Sequence, residues 1–294
     1  MLPFWGDPSY LYEAVDSVLA QDSDQWRLVI VDDHYPDELV AQHFAALDDP
    51  RITYLRNENN LGITDNYRKC LSLVEADYMM FMGCDDVMAP NYISTMLAAI
   101  EQFPQADIIQ PGVQVIDEHG EVYRPLGDKV KDVMTPSPAK QHPQRGVLVA
   151  GESLAVSLLH GDWLYWPSLV FRTAAIRDAE FLDGYPLIQD LGIVLEMLGQ
   201  GARMVVLPQI IFSYRRHQAS ASSAKLMDGG RFEAERTFFA LQADKMTELG
   251  WRRAARAARA HLTSRAYALT LLPRAAKERS LAAAKTLLQH ATSL

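Results

Sequence analysis

The sequence predicts an α/β protein, with a doubly wound, mostly parallel sheet, flanking helices and a C-terminal helical extension. Three observations predict it. Short apolar, β-branched runs alternate with helical periods through the first 110 residues, the signature of βαβ units with right-handed crossovers. The runs themselves, such as Arg27-Leu28-Val29-Ile30-Val31, are apolar on both faces, as strands covered by helices on two sides must be. Beyond Asp228 the chain reads as helix almost to its end, with breaks at Gly250 and Pro273.

Each element has a local cause. Asp7-Pro8 supplies a capping carboxylate followed by a proline in the first turn, and Leu11, Val15, Val18 and Leu19 recur at helical spacing up to about Gln21. The Arg27–Val31 strand follows, then a helix from about Asp37 to Leu47 and a strand Ile52–Leu55. A helix Ile63–Val74, a strand Tyr78–Met82 and a helix Asn91–Phe103 complete the alternating part. Ile108–Ile116 reads as a longer strand closed by the turn Asp117-Glu118-His119-Gly120. Between Arg124 and Gly146, Pro125, Pro136, Pro138 and Pro143 interrupt any period, so a long loop that covers or shapes a site is expected there. Strands near Ser168–Phe171 and Arg203–Val206 and a helix Leu191–Leu198 lead to Tyr214. Three segments result: 1–110, 111–223 and the extension 224–294.

Composition excludes several classes. Of the 294 residues, 49% are apolar and 22% charged, so the chain is neither disordered nor fibrous. It holds no apolar run of the roughly 18 residues that a spanning helix requires. The N-terminus lacks the basic and apolar regions of a secretory signal. With only Cys70 and Cys84 there is no disulfide framework, and the expected location is cytoplasmic or at the inner face of the plasma membrane. From Trp251 to Leu294 nine basic residues face a single acidic one, whereas the first 250 residues carry 19 basic and 36 acidic. That acidic body argues against nucleic acid as a partner. The segment Trp251–Ala268 reads as one helix with Arg252, Arg256 and Arg259 along one side and Ala255, Ala258, Leu262 and Leu269 along another. Such a helix either packs on the acidic body or makes a peripheral, salt-sensitive contact with an anionic membrane through 251–294.

Two acidic pairs carry the chemistry. Asp32-Asp33 follows the second strand and Asp85-Asp86 follows the Tyr78–Met82 strand. In an open parallel sheet these strand ends line the ligand crevice. Four carboxylates there are costly unless a cation or hydrogen-bond donors lie between them. No Gly-x-Gly-x-x-Gly or Walker-type loop follows any strand, so bound phosphates would be neutralised by metal on carboxylates.

With these residues in place, the chain from Met1 to about Ser223 resembles the nucleotide-sugar glycosyltransferases of family 2, with the GT-A fold. The markers are Leu2-Pro3-Phe4-Trp5-Gly6, Ser17-Val18-Leu19-Ala20-Gln21, Val29-Ile30-Val31-Asp32-Asp33, Asn60-Leu61-Gly62, Gly83-Cys84-Asp85-Asp86-Val87-Met88-Ala89-Pro90, Gln189-Asp190 and Tyr214-Arg215-Arg216-His217. The resemblance implies an inverting glycosyltransferase. Pro3, Trp5, Asp32, Asp33, Gly62 and Asp85 would bind the nucleotide sugar, with Trp5 stacking on the base. Asp86 and His217 would hold a divalent cation, Mn²⁺ or Mg²⁺, and Asp190 would take the proton of the acceptor hydroxyl. The implied partners are a nucleotide-diphosphate sugar and a saccharide or lipid-linked saccharide acceptor of bacterial surface polysaccharide assembly. Asp86 is expected at a strand end outside the core, and Asp190 could alternatively serve only to cap its helix.

The sequence departs from the family pattern at three places. Gly83 stands where the first metal-motif aspartate is usual, and Gln189 replaces a glutamate. The family's first strand also has about five more residues than precede Leu2 here, so the expectation is either a start assigned late or a sheet that lacks most of a central strand and is less stable. Two other readings are a nucleotide-sugar-binding protein without catalysis and a nucleotidylyltransferase. The absence of any basic residue in Pro3-Phe4-Trp5-Gly6-Asp7 disfavours the second.

Overall fold

A computed structural model of the chain describes residues 1–137, 145–185, 188–217, 230–277 and 281–292. In chain order the elements are β1 (Leu2–Phe4), α1 (Pro8–Leu19), β2 (Leu28–Asp32), α2 (Leu39–Ala45), β3 (Ile52–Arg56), α3 (Ile63–Ser72), β4 (Tyr78–Met80), β5 (Val87–Met88), α4 (Tyr92–Gln102) and β6 (Ile108–Ile116). There follow α5 (Leu126–Met134), β7 (Val147–Ala150), α6 (Gly151–His160), a 3₁₀ turn (Trp166–Ser168), β8 (Val170–Arg172), α7 (Thr173–Ile176), α8 (Gln189–Gly199) and β9 (Arg203–Arg215). The extension is α9 (Gly230–Glu248), α10 (Arg252–Ala260), α11 (Leu262–Lys277) and α12 (Leu281–Thr292).

Strands β1, β2 and β3 pair in parallel, with Ile30 opposite Leu2 on one side and Tyr54 on the other. The short β1 continues the sheet through Met1. Its amino group donates to the Met80 carbonyl at 2.9 Å, and its carbonyl accepts from Met82 N–H at 2.9 Å. The order then runs β4-β8-β6-β9-β5, with β7 also on β9. β6 and β9 are parallel, and β8, β5 and β7 pair antiparallel to their neighbours. All the strands leading to Asp32-Asp33 and Asp85-Asp86 therefore end at one edge, where the loops can share a ligand.

Helices cover both faces. On one, Leu11, Val15 and Val18 of α1, Val40 and Phe44 of α2, and Tyr92 and Met96 of α4 form one apolar cluster. On the other, α6 and α8 pack with Phe238 and Met246 of α9. The Asp7 cap is as expected, accepting Ser9 N–H at 2.8 Å.

Two expectations are corrected. The 124–146 segment is not wholly loop, because α5 lies within it. Its fixed side chains are polar: Asp128 accepts from Tyr165 and Arg216, and Lys131 donates to the Leu164 carbonyl. Leu126, Val130, Val133 and Met134 do recur at helical spacing, but Val130 and Val133 are exposed. Residues 138–144 of that segment lie outside the described ones. The segment Trp251–Ala268 is also not one helix. His261 takes a left-handed φ of 27° between α10 and α11, with its ring stacked on Phe239 at 4.9 Å. Ala254, Ala255, Ala257 and Ala258 are core residues against α6 and α9, and Arg253 pairs with Glu152 at 3.1 Å. Leu262 and Leu269 remain exposed. Among the described residues, no helix is long and apolar enough to cross a membrane.

Candidate active site

The cleft is built at the carboxyl ends of β1, β2 and β4. Pro3 is inside β1, opposite Val31, and Trp5 just beyond is half exposed, its ring edge-on to Tyr35 with centroids 5.7 Å apart. An exposed indole fixed by a neighbouring aromatic is a stacking surface for a planar base.

Asp32 and Asp33 are both buried and internally bonded. Asp32 accepts Tyr35 N–H at 2.7 Å and the Tyr54 hydroxyl. Asp33 accepts Leu61 N–H at 2.7 Å, Gly62 N–H at 2.8 Å and the Asn57 amide at 2.8 Å. Asp33 thereby clamps the loop before α3, where Gly62 sits at φ 81° with open space around it, a conformation suited to glycine. In this conformation both carboxylates hold the walls of the cleft.

Asp85, Asp86 and His217 come together across β5 and the end of β9. His217 Nε2 lies 2.9 Å from Asp85 Oδ2, and Asp86 Oδ1 accepts Arg215 N–H at 2.8 Å. Asp86 is fully buried, not at an exposed strand end as expected, and its Oδ2 has no partner. Burial, followed by the adjacent Asp85 charge, raises its carboxyl well above the usual range. Arg215, itself buried, braces the loop by donating to the Asp85 carbonyl at 2.8 Å and to Glu13 at 2.6 Å. The glycine at 83 is explained by space. A Cβ there would overlap Asp86 Oδ2 and lie 3.1 Å from Asp85 Oδ1, so this chain holds its two acids where a side chain at 83 would stand.

Asp190 lies across the cleft in the first turn of α8. The helix cap is Ile188, and Asp190 Oδ1 accepts only the adjacent Leu191 N–H, at 2.8 Å, so end-capping does not account for it. Burial, and next the charge of Asp162, push its carboxyl up to about 8. Gln189 beside it uses both ends of its amide on Leu182, accepting from N–H at 3.0 Å and donating to the carbonyl at 2.6 Å. A glutamate could not make the second bond, so the substitution anchors the start of α8. Burial raises the Tyr214 phenol, and the charges of Asp86, Asp85 and Asp190 push the same way. The thiols of Cys70 and Cys84 are raised by burial and offer no nucleophile.

The profile of glycosyl transferase family 2 matches residues 1–147, half of the chain. The chain belongs to glycosyl transferase family 2. The chain is 35% identical over 102 residues to WcaA of Escherichia coli K12, named for colanic acid biosynthesis, covering 34% of this chain and 37% of WcaA. It is 29% identical over 112 residues to the glycosyltransferase EpsE of Bacillus subtilis, covering 37% of this chain and 40% of EpsE. Each match thus spans about two-fifths of the relative. Among solved structures it is similar to TarS residues 1–349 of S. aureus in complex with UDP, with TM-score 0.63 and 14% identity, over 99% of this chain and 80% of that one. The same region of TarS with UDP-GlcNAc gives TM-score 0.62 over 97% and 88%. The chain therefore has the GT-A fold.

Sequence reasoning missed three residues near Asp190 and Tyr165: Asp162, Asp128 and Lys131. Asp162 precedes the buried Trp163 in the loop after α6, and its charge opposes ionisation of Asp190. Lys131 lies 4.6 Å over the Tyr165 ring. Gly161, beside Asp162, approaches α5 closely, since a Cβ there would stand 2.5 Å from Met134 Sδ.

Proposed function

We propose that the protein is an inverting glycosyltransferase moving a sugar from a nucleotide-diphosphate donor to a hydroxyl of a saccharide or lipid-linked saccharide, in assembly of a bacterial surface polysaccharide. The observation that carries this reading is the acid Asp190, raised by burial in the first turn of α8, in a chain whose Asp85-Asp86 pair leaves a buried carboxylate oxygen without a partner. The acceptor oxygen attacks the anomeric carbon, the bond to the diphosphate oxygen breaks, and the hydroxyl proton passes to Asp190. One displacement with no covalent intermediate inverts the anomeric carbon. Trp5 supports base stacking, and 1–110 is then the donor half, 111–223 the acceptor half. The names of WcaA and EpsE, and the UDP-GlcNAc bound to TarS, are consistent with this substrate class.

The residues fit a divalent cation. Asp86 Oδ2 is a buried oxygen without a partner beside a second carboxylate, and oxygen donors with one imidazole suit Mn²⁺ or Mg²⁺. Among the described residues, no three acidic, histidine or cysteine side chains close a site by themselves, so Asp86, Asp85 and His217 would share the ion with the donor's phosphates. When bound, the cation offsets the charge developing on the departing diphosphate.

A panel of nucleotide sugars with and without Mn²⁺ tests the reading. Donor-specific release of nucleoside diphosphate is expected, with the sugar recovered on an acceptor in the inverted configuration. Donor-induced thermal stabilisation without release for any donor would leave a binding protein.

We also propose that exposed Arg252 and Arg256, with Leu262 and Leu269, contact an anionic leaflet and hold the enzyme at the inner face of the plasma membrane. Each basic residue near such a surface contributes ~1 kcal/mol. Because the α10 alanines are core, the test keeps the chain whole. Pelleting with anionic liposomes at low salt is expected, lost at high salt and in Arg252→Glu/Arg256→Glu. No pelleting at low salt would overturn the contact.

A further inference from the structure

Side chains alternate sides at the end of β9. Arg216 N–H still donates to the Ile116 carbonyl at 2.9 Å, so the ladder runs one residue past the strand and successive side chains leave it on opposite faces. Arg216 turns to α5, where its Nη2 donates to Asp128 Oδ1 at 2.8 Å. Arg215 and His217 turn the other way, and one side chain of α1 meets both. The Tyr10 ring centroid is 4.7 Å from the Arg215 guanidinium carbon and 5.1 Å from the centroid of the His217 ring.

Tyr10 stands on the side of α1 that the core does not use, since Leu11, Ala14, Val15 and Val18 are the buried apolar residues of that helix. Glu13, three positions on and therefore on the same side, accepts from Arg215 Nη2 at 2.6 Å. The Tyr10 hydroxyl reaches the Glu118 carbonyl at 3.4 Å. The ring is thus fixed by its helix, by a cation on its face and by a weak tether at its tip.

We propose that Tyr10 is the positioning residue of His217, its ring holding the imidazole where it can ligate the cation and so setting how tightly the cation binds. This rests on the reading of Asp86, Asp85 and His217 as the cation site.

The contacts of His217 explain why a ring is needed there. Its Nε2 lies 2.9 Å from Asp85 Oδ2. Whichever atom supplies the proton, that hydrogen bond occupies the nitrogen position a cation would take. The bond therefore cannot hold the imidazole once the ion is bound. The contact with Tyr10 is made through the ring and is indifferent to what Nε2 does. An imidazole free to turn loses rotamer freedom each time it takes an ion, and removing an outer contact of a metal-binding histidine typically costs about 10–100-fold in affinity.

The test is calorimetric titration of Mn²⁺ into full-length protein with UDP, GDP, CDP or ADP present, whichever stabilises the wild type most to heat. Tyr10→Leu removes the ring, and Tyr10→Phe keeps it. Mn²⁺ should bind about 10-fold more weakly to Tyr10→Leu and within about 2-fold of wild type to Tyr10→Phe. A merely structural role would lower the melting temperature and leave the Mn²⁺ affinity alone. In a His217→Ala background, Tyr10→Leu should weaken Mn²⁺ no further, because the ring acts through that imidazole. Tyr10→Met is the deciding variant if Tyr10→Leu does not fold. An Mn²⁺ affinity unmoved by loss of the ring, or lowered as much again on top of His217→Ala, overturns the proposal. Wild type that binds Mn²⁺ no better than Asp86→Ala removes the cation site itself, which is a separate failure of the reading beneath.

Discussion

Asp190→Asn is expected to lower sugar transfer by ~10²–10⁴-fold, the usual loss on removing a general base, with donor affinity little changed. The amide keeps the shape and can still accept from Leu191 N–H, which binds Asp190 Oδ1 in the wild type, so α8 should start where it does now. The stability consequence has a definite sign. A carboxyl raised to about 8 in the folded protein binds its proton more tightly there than in the unfolded chain, near 3.9. Between those values the folded state holds more protons, so its stability falls as pH rises from about 4 to about 8. Asparagine removes that loss. The variant should therefore melt higher than wild type at pH 8 and differ little at pH 4, while being nearly inactive. Thermal melts at the two pH values, beside single-turnover transfer, check both halves. A variant with normal turnover would show that Asp190 has no part in proton transfer.

Asp86→Ala has the other large expected effect. Its Oδ2 is buried without a partner and its charge is opposed by Asp85. Removing an uncompensated buried acid is neutral or stabilising for the fold, at the smaller cost of the bond to Arg215 N–H. Transfer should fall below detection, and Mn²⁺ should no longer tighten UDP binding in calorimetry. The binding measurement is independent of turnover. Full activity of the wild type in excess EDTA, or cation-dependent UDP binding that survives in Asp86→Ala, would overturn the assignment. The space argument at Gly83 points the same way, since the two acids occupy the volume a side chain there would need.

The sequence was most legible where a contiguous stretch carries its own physics. The Asp7 cap, the apolar β2 run and the Ile108–Ile116 strand lie within a residue or so of where spacing put them, because caps and periodicity act over a few neighbouring residues. The placement of both acidic pairs at strand ends was legible for the same reason. What Asp32 and Asp33 do was not: their partners are backbone amides and a tyrosine from β3 and the loop before α3, which only pairing of β2 with β3 brings near. α5 was passed over although Leu126, Val130, Val133 and Met134 recur at helical spacing, because the prolines on either side read as a loop. The break at His261 was hidden because a ring stacked on Phe239 fixes it, from another helix.

By itself, then, the sequence determined the α/β alternation, the crevice at the strand ends and, through markers in order, the family. The tertiary structure alone decided which carboxylates are engaged and which are left exposed to a neighbour of like charge. Asp33 became a clamp, Asp86 was buried with an oxygen unpaired, and Asp190 was set against Asp162. The reason is physical: periodicity and capping are short-range and written in adjacent residues, whereas the ionisation of an acid depends on burial and on charges brought within a few ångströms by distant segments.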